Sequence, residues 1–292
     1  MKRAVILPAL LALGLGGPVL ADSIAPPDQA SWNGAKQMAD LGNGIELAYV
    51  EWGDPEADPV ILVHGFSDSS RAFSTIAPFL DGHRFIAVDL RGMGDSSEPE
   101  CCYYPTDFAE DLNAFIHALG YDKAAVVGHS VGSIYAGMLA ALHPASVERL
   151  VLISSRLDQS GRRGFLDMVE GLDFPLDPMG EFIQDWGGNN GRMDEEMLTY
   201  LRIEEAGMPK RAWAGMAKGM ELVDWTLAAE RIAAPTLILW GDQDGMAKAQ
   251  DQEDLQAAMP AATFIAYEGY GHSMYWENPE MVATDLTAFL DD

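Results

Sequence analysis

Ser130 stands in a pattern that makes a serine nucleophilic, the segment Gly128-His129-Ser130-Val131-Gly132. The apolar run at 124–127 predicts a buried strand, and the run from Val131 to His143 predicts a helix that Pro144 ends. A strand, a Gly-x-Ser-x-Gly turn and a helix place the serine on a tight, strained turn with its hydroxyl exposed. The N–H of Val131 then points to where an oxyanion forms, and the helix dipole favours negative charge there.

The base that a serine nucleophile needs is expected at His272, which follows the last predicted strand, residues 262–267. His129 is poorly placed for this role, because it is the chain neighbour of Ser130 at the turn and should point away. His64 ends another apolar strand, and we expect it to fix a loop through hydrogen bonds rather than to react.

The acid that orients the imidazole has three candidate positions. Asp242 and Asp244 both follow the predicted strand at 235–240, and Asp158 lies past an earlier strand. From their positions relative to the strands alone, these three carboxylates remain alternatives.

Predicted strands alternate with predicted helices, which indicates an α/β fold with a mostly parallel sheet wound on both faces. In such sheets the site lies beyond the carboxyl ends of the strands, so Ser130, Asp244 and His272 are expected to converge. Residues 156–230 are rich in Gly, Met, Trp, Asp and Glu and show short helical patterns without a convincing strand. This composition predicts an inserted helical cap. The strands are expected at 44–52, 60–63, 84–89, 124–127, 149–155, 235–240 and 262–267.

Five motifs follow one another along the chain, and together they resemble those of α/β-hydrolase-fold enzymes with a helical cap. The resemblance covers about residues 44–290 and implies a core of residues 44–155 and 231–292 with a cap at 156–230. The motifs are Val-His-Gly-Phe at 63–66, Asp-Leu-Arg-Gly-Met-Gly-Asp-Ser at 89–96, Gly-His-Ser-Val-Gly at 128–132, Trp-Gly-Asp-Gln-Asp at 240–244 and Gly-Tyr-Gly-His-Ser at 269–273.

The resemblance implies a role for each site residue. Ser130 attacks a carbonyl carbon, His272 takes the serine proton, and Asp244, favoured over the other carboxylates by the family pattern, orients the imidazole. The backbone N–H groups of Phe66 and Val131 hold the oxyanion, and an acyl-enzyme forms and is hydrolysed. No organic cofactor and no metal is implied.

A serine at the turn excludes the dehalogenase and epoxide hydrolase chemistry of similar proteins, which attack with an aspartate. The expected substrate is a small apolar ester, lactone or thioester. Perhydrolase or cofactor-free haloperoxidase activity and hydrolysis of a carbon–carbon bond in a diketone use the same triad and are alternatives. An alternative of another class is a protein that binds a small ligand on a hydrolase scaffold.

The first residues predict a secretory signal peptide. Met1-Lys2-Arg3 is basic, residues 4–15 are apolar apart from one proline, and Val19-Leu20-Ala21 is a small-residue cleavage site. We expect cleavage after Ala21 and export to the periplasm or the medium, followed by a mobile or loosely docked lead-in at 22–43. No other stretch is long and apolar enough to predict stable membrane insertion.

The 45 acidic and 18 basic residues give a net charge of −27, which argues against nucleic acid or an anionic membrane surface as a partner. The two cysteines, Cys101 and Cys102, are adjacent and are expected either to close a vicinal disulfide ring or to stay as thiols.

Overall fold

The computed structural model describes residues 28–159, 164–186 and 193–292. The predicted signal peptide lies outside these ranges. In chain order, the strands of the described residues are β1 (Gln37–Asp40), β2 (Glu46–Gly53), β3 (Pro59–Val63), β4 (Arg84–Val88), β5 (Ala124–His129), β6 (Val147–Ile153), β7 (Thr236–Gly241) and β8 (Thr263–Tyr267).

These strands form one sheet in the order β1-β2-β4-β3-β5-β6-β7-β8. The pairs β1–β2 and β2–β4 are antiparallel, and every other neighbouring pair is parallel. The predicted α/β class with a mostly parallel sheet is therefore confirmed.

The helices pack on both faces of the sheet or lie between β6 and β7. They are α1 (Gln29–Gly34), α2 (Pro105–Ala118), α3 (Val131–Leu142), α4 (Phe165–Glu170), α5 (Glu181–Trp186), α6 (Glu195–Gly207), α7 (Lys210–Leu222), α8 (Thr226–Ala229), α9 (Ala249–Ala258), α10 (Met274–Glu277) and α11 (Pro279–Asp291). Within the described ranges, no helix combines the length and apolar character that crossing a membrane requires.

The apolar central strands divide their side chains between two core layers, because successive residues of a strand face opposite sides. In β3, Ile61 and Val63 pack with the helices α2 and α3, and Val60 and Leu62 pack with α10 and α11. All five residues of β3 and all six of β5 are buried. This burial on both faces explains their continuous apolar sequences.

The lead-in expected to be mobile or loosely docked is instead part of the fold from residue 28 onward. It contains α1 and β1, and the side chains of Gln29 and Trp32 are buried. The fully buried Arg71 explains this docking, because its Nη1 donates to both the main-chain and side-chain oxygens of Gln29. The expectation was wrong because the buried guanidinium group of Arg71 needs hydrogen-bond acceptors, and Gln29 supplies two of them.

Two short 3-10 helices, Ser70–Phe73 and Ala77–Phe79, follow β3, and Pro78 is incompatible with one continuous α-helix through this segment. Helix α2 begins at Pro105. Proline is favoured at the first helical position, because a backbone N–H there would have no hydrogen-bond partner within the helix.

The segment between β6 and β7 corresponds to the expected cap and contains α4 to α8 in its described part. Helices α6 and α7, of 13 residues each, are the longest in this described part. Cys101 and Cys102 form a vicinal disulfide, and the carbonyl oxygen of Cys102 accepts a hydrogen bond of 2.7 Å from Arg91, which also pairs with Asp111.

Replacing Gly132 by alanine is expected to destabilise the protein by about 1–3 kcal/mol, the usual penalty of overpacking. The new β-carbon would overlap the backbone carbonyl oxygens of Val63 and His64. Gly207→Ala is the matched control, because nothing lies within 4 Å of its β-carbon position, and it should be neutral or stabilising. Urea unfolding of both variants measures the difference, and equal free energies of unfolding would contradict the close approach.

Candidate active site

Ser130 joins β5 to α3 in a backbone conformation with a positive φ of 54° and a ψ of −124°. Few residues other than glycine adopt a positive φ, so the backbone of Ser130 is strained. Gly128 and Gly132 make the turn possible, because a β-carbon on Gly128 would meet Ser133 Cα at 2.6 Å. The sequence pattern thus forms the tight turn that it predicts.

The structure brings Ser130, His272 and Asp244 together in one chain of hydrogen bonds. His272 Nε2 lies 2.9 Å from Ser130 Oγ, and His272 Nδ1 lies 2.8 Å from Asp244 Oδ2. The proton on the imidazole is assigned to Nδ1, because the ionised carboxylate of Asp244 only accepts. The remaining imidazole nitrogen, Nε2, is therefore free to accept the serine proton.

Asp244 is held as an anion. Burial raises its pKa, but the hydrogen bond from His272 and the N–H groups of Ala247 and Met246 outweigh burial, so the pKa lies below its ordinary value. Those two N–H groups donate to Oδ1 at 3.0 and 2.7 Å, which leaves Oδ2 for the imidazole.

The other two carboxylates considered for this position have different contacts. Asp242 Oδ1 accepts from the N–H of Gly269 at 2.7 Å and so fixes the loop that carries His272. Asp158 forms an isolated bridge with Asp224 at the edge of the cap.

The carbonyl of His272 is anchored by two residues that the sequence analysis did not assign to the site. Ser154 Oγ donates to this carbonyl oxygen at 2.7 Å, and His129 Nε2 lies 3.1 Å from it. The ring of His129 also contacts Tyr275, and burial lowers its pKa to about 3, so it stays neutral. The ring of His129 therefore points away from Ser130 and toward the backbone of His272. The positive φ of Ser154, 53°, has no signal in the sequence.

The two expected oxyanion donors lie on either side of Ser130. Phe66 and Val131 both line the cavity that contains the serine. Across residues 28–159, 164–186 and 193–292, no acceptor takes a hydrogen bond from either main-chain N–H. Both groups therefore remain available to a bound molecule.

His64 fixes the loop that carries Phe66. Its Nδ1 lies 2.8 Å from the oxygen of Gly65, and its Nε2 accepts from the N–H of Leu90 at 3.0 Å. Burial lowers the pKa of His64 to about 4, so the ring stays neutral and keeps one donor and one acceptor. These contacts match the loop-fixing role expected from the sequence.

A cavity of about 200 Å³ lies over Ser130 and His272. Its floor comes from the oxyanion loop, residues 65–68, and its roof from α4 to α7 of the cap. Most of the wall is apolar, and Phe66 packs edge-on against Phe165 and Trp186 with ring centroids 5.4 and 5.7 Å apart. The remaining apolar lining residues are Val131, Met220, Met246 and Trp276.

Polar contacts fasten the cap to the oxyanion loop and the residues that follow it. Trp186 Nε1 donates to Ser67 Oγ at 2.8 Å. Glu204, in α6, accepts from Ser69 Oγ at 2.6 Å and from Arg71 Nε at 2.8 Å. The position of the roof is therefore tied to the segment that carries Phe66.

Two buried carboxyl groups also line this cavity. Burial and the nearby Glu204 raise the pKa of Asp68 to about 7, against a hydrogen bond from Gly65. Burial and the nearby Asp68 raise the pKa of Glu205 to about 9, with Glu204 adding to this effect and Arg202 opposing it. Within the described part of the chain, no cluster of three or more His, Cys, Asp or Glu residues is arranged to hold a metal ion.

The chain is similar to proteins known as hydrolases. It is 27% identical to lipase 3 of Moraxella sp. (strain TA144) over 271 residues, which cover 86% of this chain and 83% of the lipase. A serine hydrolase-like protein of Danio rerio is 38% identical over 113 residues, and that match spans only 35% of its length. The crystal structure of a bacterial membrane phospholipase A superposes with a TM-score of 0.74 at 27% identity, covering 88% of this chain and 85% of the phospholipase.

The model of the α/β-hydrolase fold family matches residues 58–279, which contain Ser130, Asp244, His272 and the inserted cap. This match extends over most of the chain and agrees with the strand order, the turn at Ser130 and the hydrogen-bonded side chains. The protein therefore belongs to the α/β-hydrolase fold family.

Proposed function

We propose that this protein is a serine hydrolase that cleaves a small, largely apolar carboxylic ester through an acyl-enzyme on Ser130. The observation that carries the proposal is the continuous hydrogen-bond chain from Ser130 through His272 to Asp244 at the wall of an apolar cavity. The similarity to a lipase and to a phospholipase A supports an ester bond as the target.

In the first half of the reaction, His272 Nε2 takes the proton of Ser130 Oγ as this oxygen attacks the ester carbonyl carbon. The anionic Asp244 stabilises the imidazolium that forms. The N–H groups of Phe66 and Val131 stabilise the negative charge on the carbonyl oxygen, and each such donor lowers the barrier by roughly 3 kcal/mol.

The first half ends when the bond between the carbonyl carbon and the alcohol oxygen breaks: His272 gives its proton to the leaving alcohol, and the acyl group remains bound to Ser130. In the second half, water loses a proton to His272 and attacks the acyl carbonyl carbon. The bond from this carbon to Ser130 Oγ then breaks, His272 returns the proton to Oγ, and the acid is released. The anchoring of the His272 carbonyl by Ser154 keeps the base in place through both halves.

The cavity favours a small substrate. Its volume of about 200 Å³ lies below the roughly 300–1,000 Å³ of common ligand pockets, and the apolar part of its wall is formed mainly by aromatic and methionine side chains. We therefore infer that short acyl chains react faster than long ones.

Ser130→Ala is expected to abolish hydrolysis of short p-nitrophenyl esters, and Asp244→Asn should lower kcat about 10⁴-fold because the imidazole loses its orienting anion. Asp242→Asn is the matched control, because this carboxylate follows the same strand but contacts Gly269 rather than His272, and an asparagine Oδ1 can still accept the Gly269 hydrogen bond that fixes the loop. It should keep most of the parent activity.

An equal loss of activity in the two aspartate variants would contradict the assignment of the acid. A folded parent protein that turns over no ester and is not labelled at Ser130 by a serine-directed phosphonate would instead favour the ligand-binding alternative.

Activity should depend on the ionisation of Asp68, which is neutral below a pH of about 7 and anionic above it. Asp68 accepts a hydrogen bond from Gly65, which is the neighbour of the proposed oxyanion donor Phe66. When Asp68 is ionised, its negative charge therefore repels the negative charge that develops on the carbonyl oxygen in the transition state. The ratio of kcat/KM for Asp68→Asn over the parent should therefore rise as pH increases from 6 to 8. A flat ratio, like that expected for Asp242→Asn, would exclude this effect.

We also propose that the protein is exported after loss of residues 1–21. The proposal is supported by the first 21 residues, in which a short basic segment is followed by an apolar segment and then by a small-residue cleavage site. When the full chain is expressed in a bacterium, N-terminal sequencing of the secreted or periplasmic protein should begin at Asp22. Recovery of the protein only in the cytoplasm, with Met1 retained, would contradict export.

A further inference from the structure

The vicinal disulfide joins Cys101 and Cys102, the only two cysteines in the sequence, and both side chains are exposed. A disulfide between chain neighbours closes almost no loop in the unfolded chain, so it adds little of the stability that a long-range disulfide provides. Its effect is on the local backbone, because the ring that the S–S bond closes includes the peptide bond between the two residues. Its exposure also leaves it open to attack by a thiol from solution.

The ring holds Cys102 in an unfavourable backbone conformation. This residue has a positive φ of 74°, which residues with a β-carbon rarely adopt. Arg91 supports the same conformation by donating to the carbonyl oxygen of Cys102 at 2.7 Å. When the S–S bond is broken, the restriction from the ring is lost and the preference for a negative φ remains. Reduction is therefore expected to turn the peptide that leads to Tyr103.

Tyr103 packs tightly against α7 of the cap. It is 2% exposed, and its side chain occupies the space beside Gly215, where a β-carbon would lie only 2.9 Å away. Its carbonyl oxygen would lie 3.0 Å from a β-carbon on Gly219, one helical turn further along. Close-packed surfaces of this kind transmit a displacement instead of absorbing it. A change in the backbone at Tyr103 therefore moves α7.

Hydrogen bonds tie the same loop to the beginning of α7. Arg211 donates to the carbonyl oxygens of Glu98 and Pro99 at 2.8 and 3.2 Å. The hydroxyl of Tyr103 donates to the same Pro99 oxygen at 2.6 Å. The segment that contains the disulfide thus contacts α7 along most of its length.

Helix α7 in turn forms part of the wall above Ser130. Met220 lines the cavity, and the ring of Trp213 packs edge-on against Phe66 with centroids 4.9 Å apart. Phe66 carries one of the two proposed oxyanion donors. A displacement of α7 therefore changes both the width of the cavity and the support of Phe66.

We propose that Cys101 and Cys102 form a redox site that a dithiol reduces, and that its state sets the position of α7 over Ser130. The oxidised form keeps the cavity small, and the reduced form lets it admit longer acyl chains. The inference concerns regulation of the Ser130 site and so rests on the proposed function.

The chemistry is thiol–disulfide exchange with a dithiol as the reductant. One thiolate of the reductant attacks a sulfur of the pair, which breaks the S–S bond and forms a mixed disulfide. The second thiolate of the reductant then breaks the mixed disulfide. The reductant leaves as a cyclic disulfide, and Cys101 and Cys102 each keep a thiol after the transfer of two electrons and two protons.

The test compares the oxidised protein with protein reduced by dithiothreitol. The reductant is removed by gel filtration under nitrogen, because free thiols cleave p-nitrophenyl esters themselves, and alkylation followed by mass spectrometry counts the thiols. In the reduced protein, the ratio of kcat/KM for p-nitrophenyl octanoate over butyrate should rise about fivefold or more. Reoxidation should restore the original ratio.

Two double variants separate the backbone effect from the loss of the sulfur atoms. Cys101→Ser/Cys102→Ser should behave as the reduced protein whether or not it has been treated with dithiothreitol. Cys101→Ser/Cys102→Gly also lacks the disulfide, but glycine adopts a positive φ readily, so its ratio should stay closer to that of the oxidised parent. Equal ratios in the two variants would contradict the role of the Cys102 backbone.

Hydrogen exchange of the backbone amides gives a readout that does not depend on catalysis. Reduction should speed exchange in α7, residues 210–222, and leave α11, residues 279–291, unchanged as the internal control. Complete reduction with no change in α7 exchange or in the ester ratio would overturn the redox site and leave the esterase intact. Two thiols in periplasmic protein that was never reduced, or a response of the double serine variant to dithiothreitol, would also overturn it.

Failure of the proposed function gives a different result. The protein would then turn over no ester in either redox state and would not be labelled by the phosphonate at Ser130. Faster exchange in α7 alone would in that case still support the link from the disulfide to the cap.

Discussion

The positive φ of Ser130 is the constraint on which the rest of the site depends. Such a conformation is unfavourable by about 1–3 kcal/mol and persists only where the surrounding structure enforces it. Here β5 is buried along its full length, and the two flanking glycines allow α3 to pack close to the ends of β3 and β5. The packing that enforces this conformation also fixes the position of Ser130 Oγ. His272 and Asp244 therefore need only be positioned relative to that atom.

Much of this arrangement was predictable because local chemistry and topology agree. In a parallel sheet the carboxyl ends of neighbouring strands meet at one edge, so a serine after β5, an aspartate after β7 and a histidine after β8 converge there. The choice between Asp242 and Asp244 was open from position alone. The structure separates them by their contacts, since only the second reaches the imidazole and the first fixes the loop behind it.

Other features depend on contacts between residues far apart in sequence, which no local pattern reveals. The docking of α1 follows from the hydrogen bonds of Arg71 to Gln29, 42 residues away. Ser154 supports His272 across 118 residues, and nothing in its neighbours indicates a positive φ.

The contacts of Trp186 with Ser67, and of Glu204 with Ser69 and Arg71, join the cap to the loop that carries Phe66. A displacement of the roof would be transmitted through Ser67 to the adjacent peptide of Phe66. Under the proposed mechanism, a substitution at one of these anchors alters substrate affinity and turnover together.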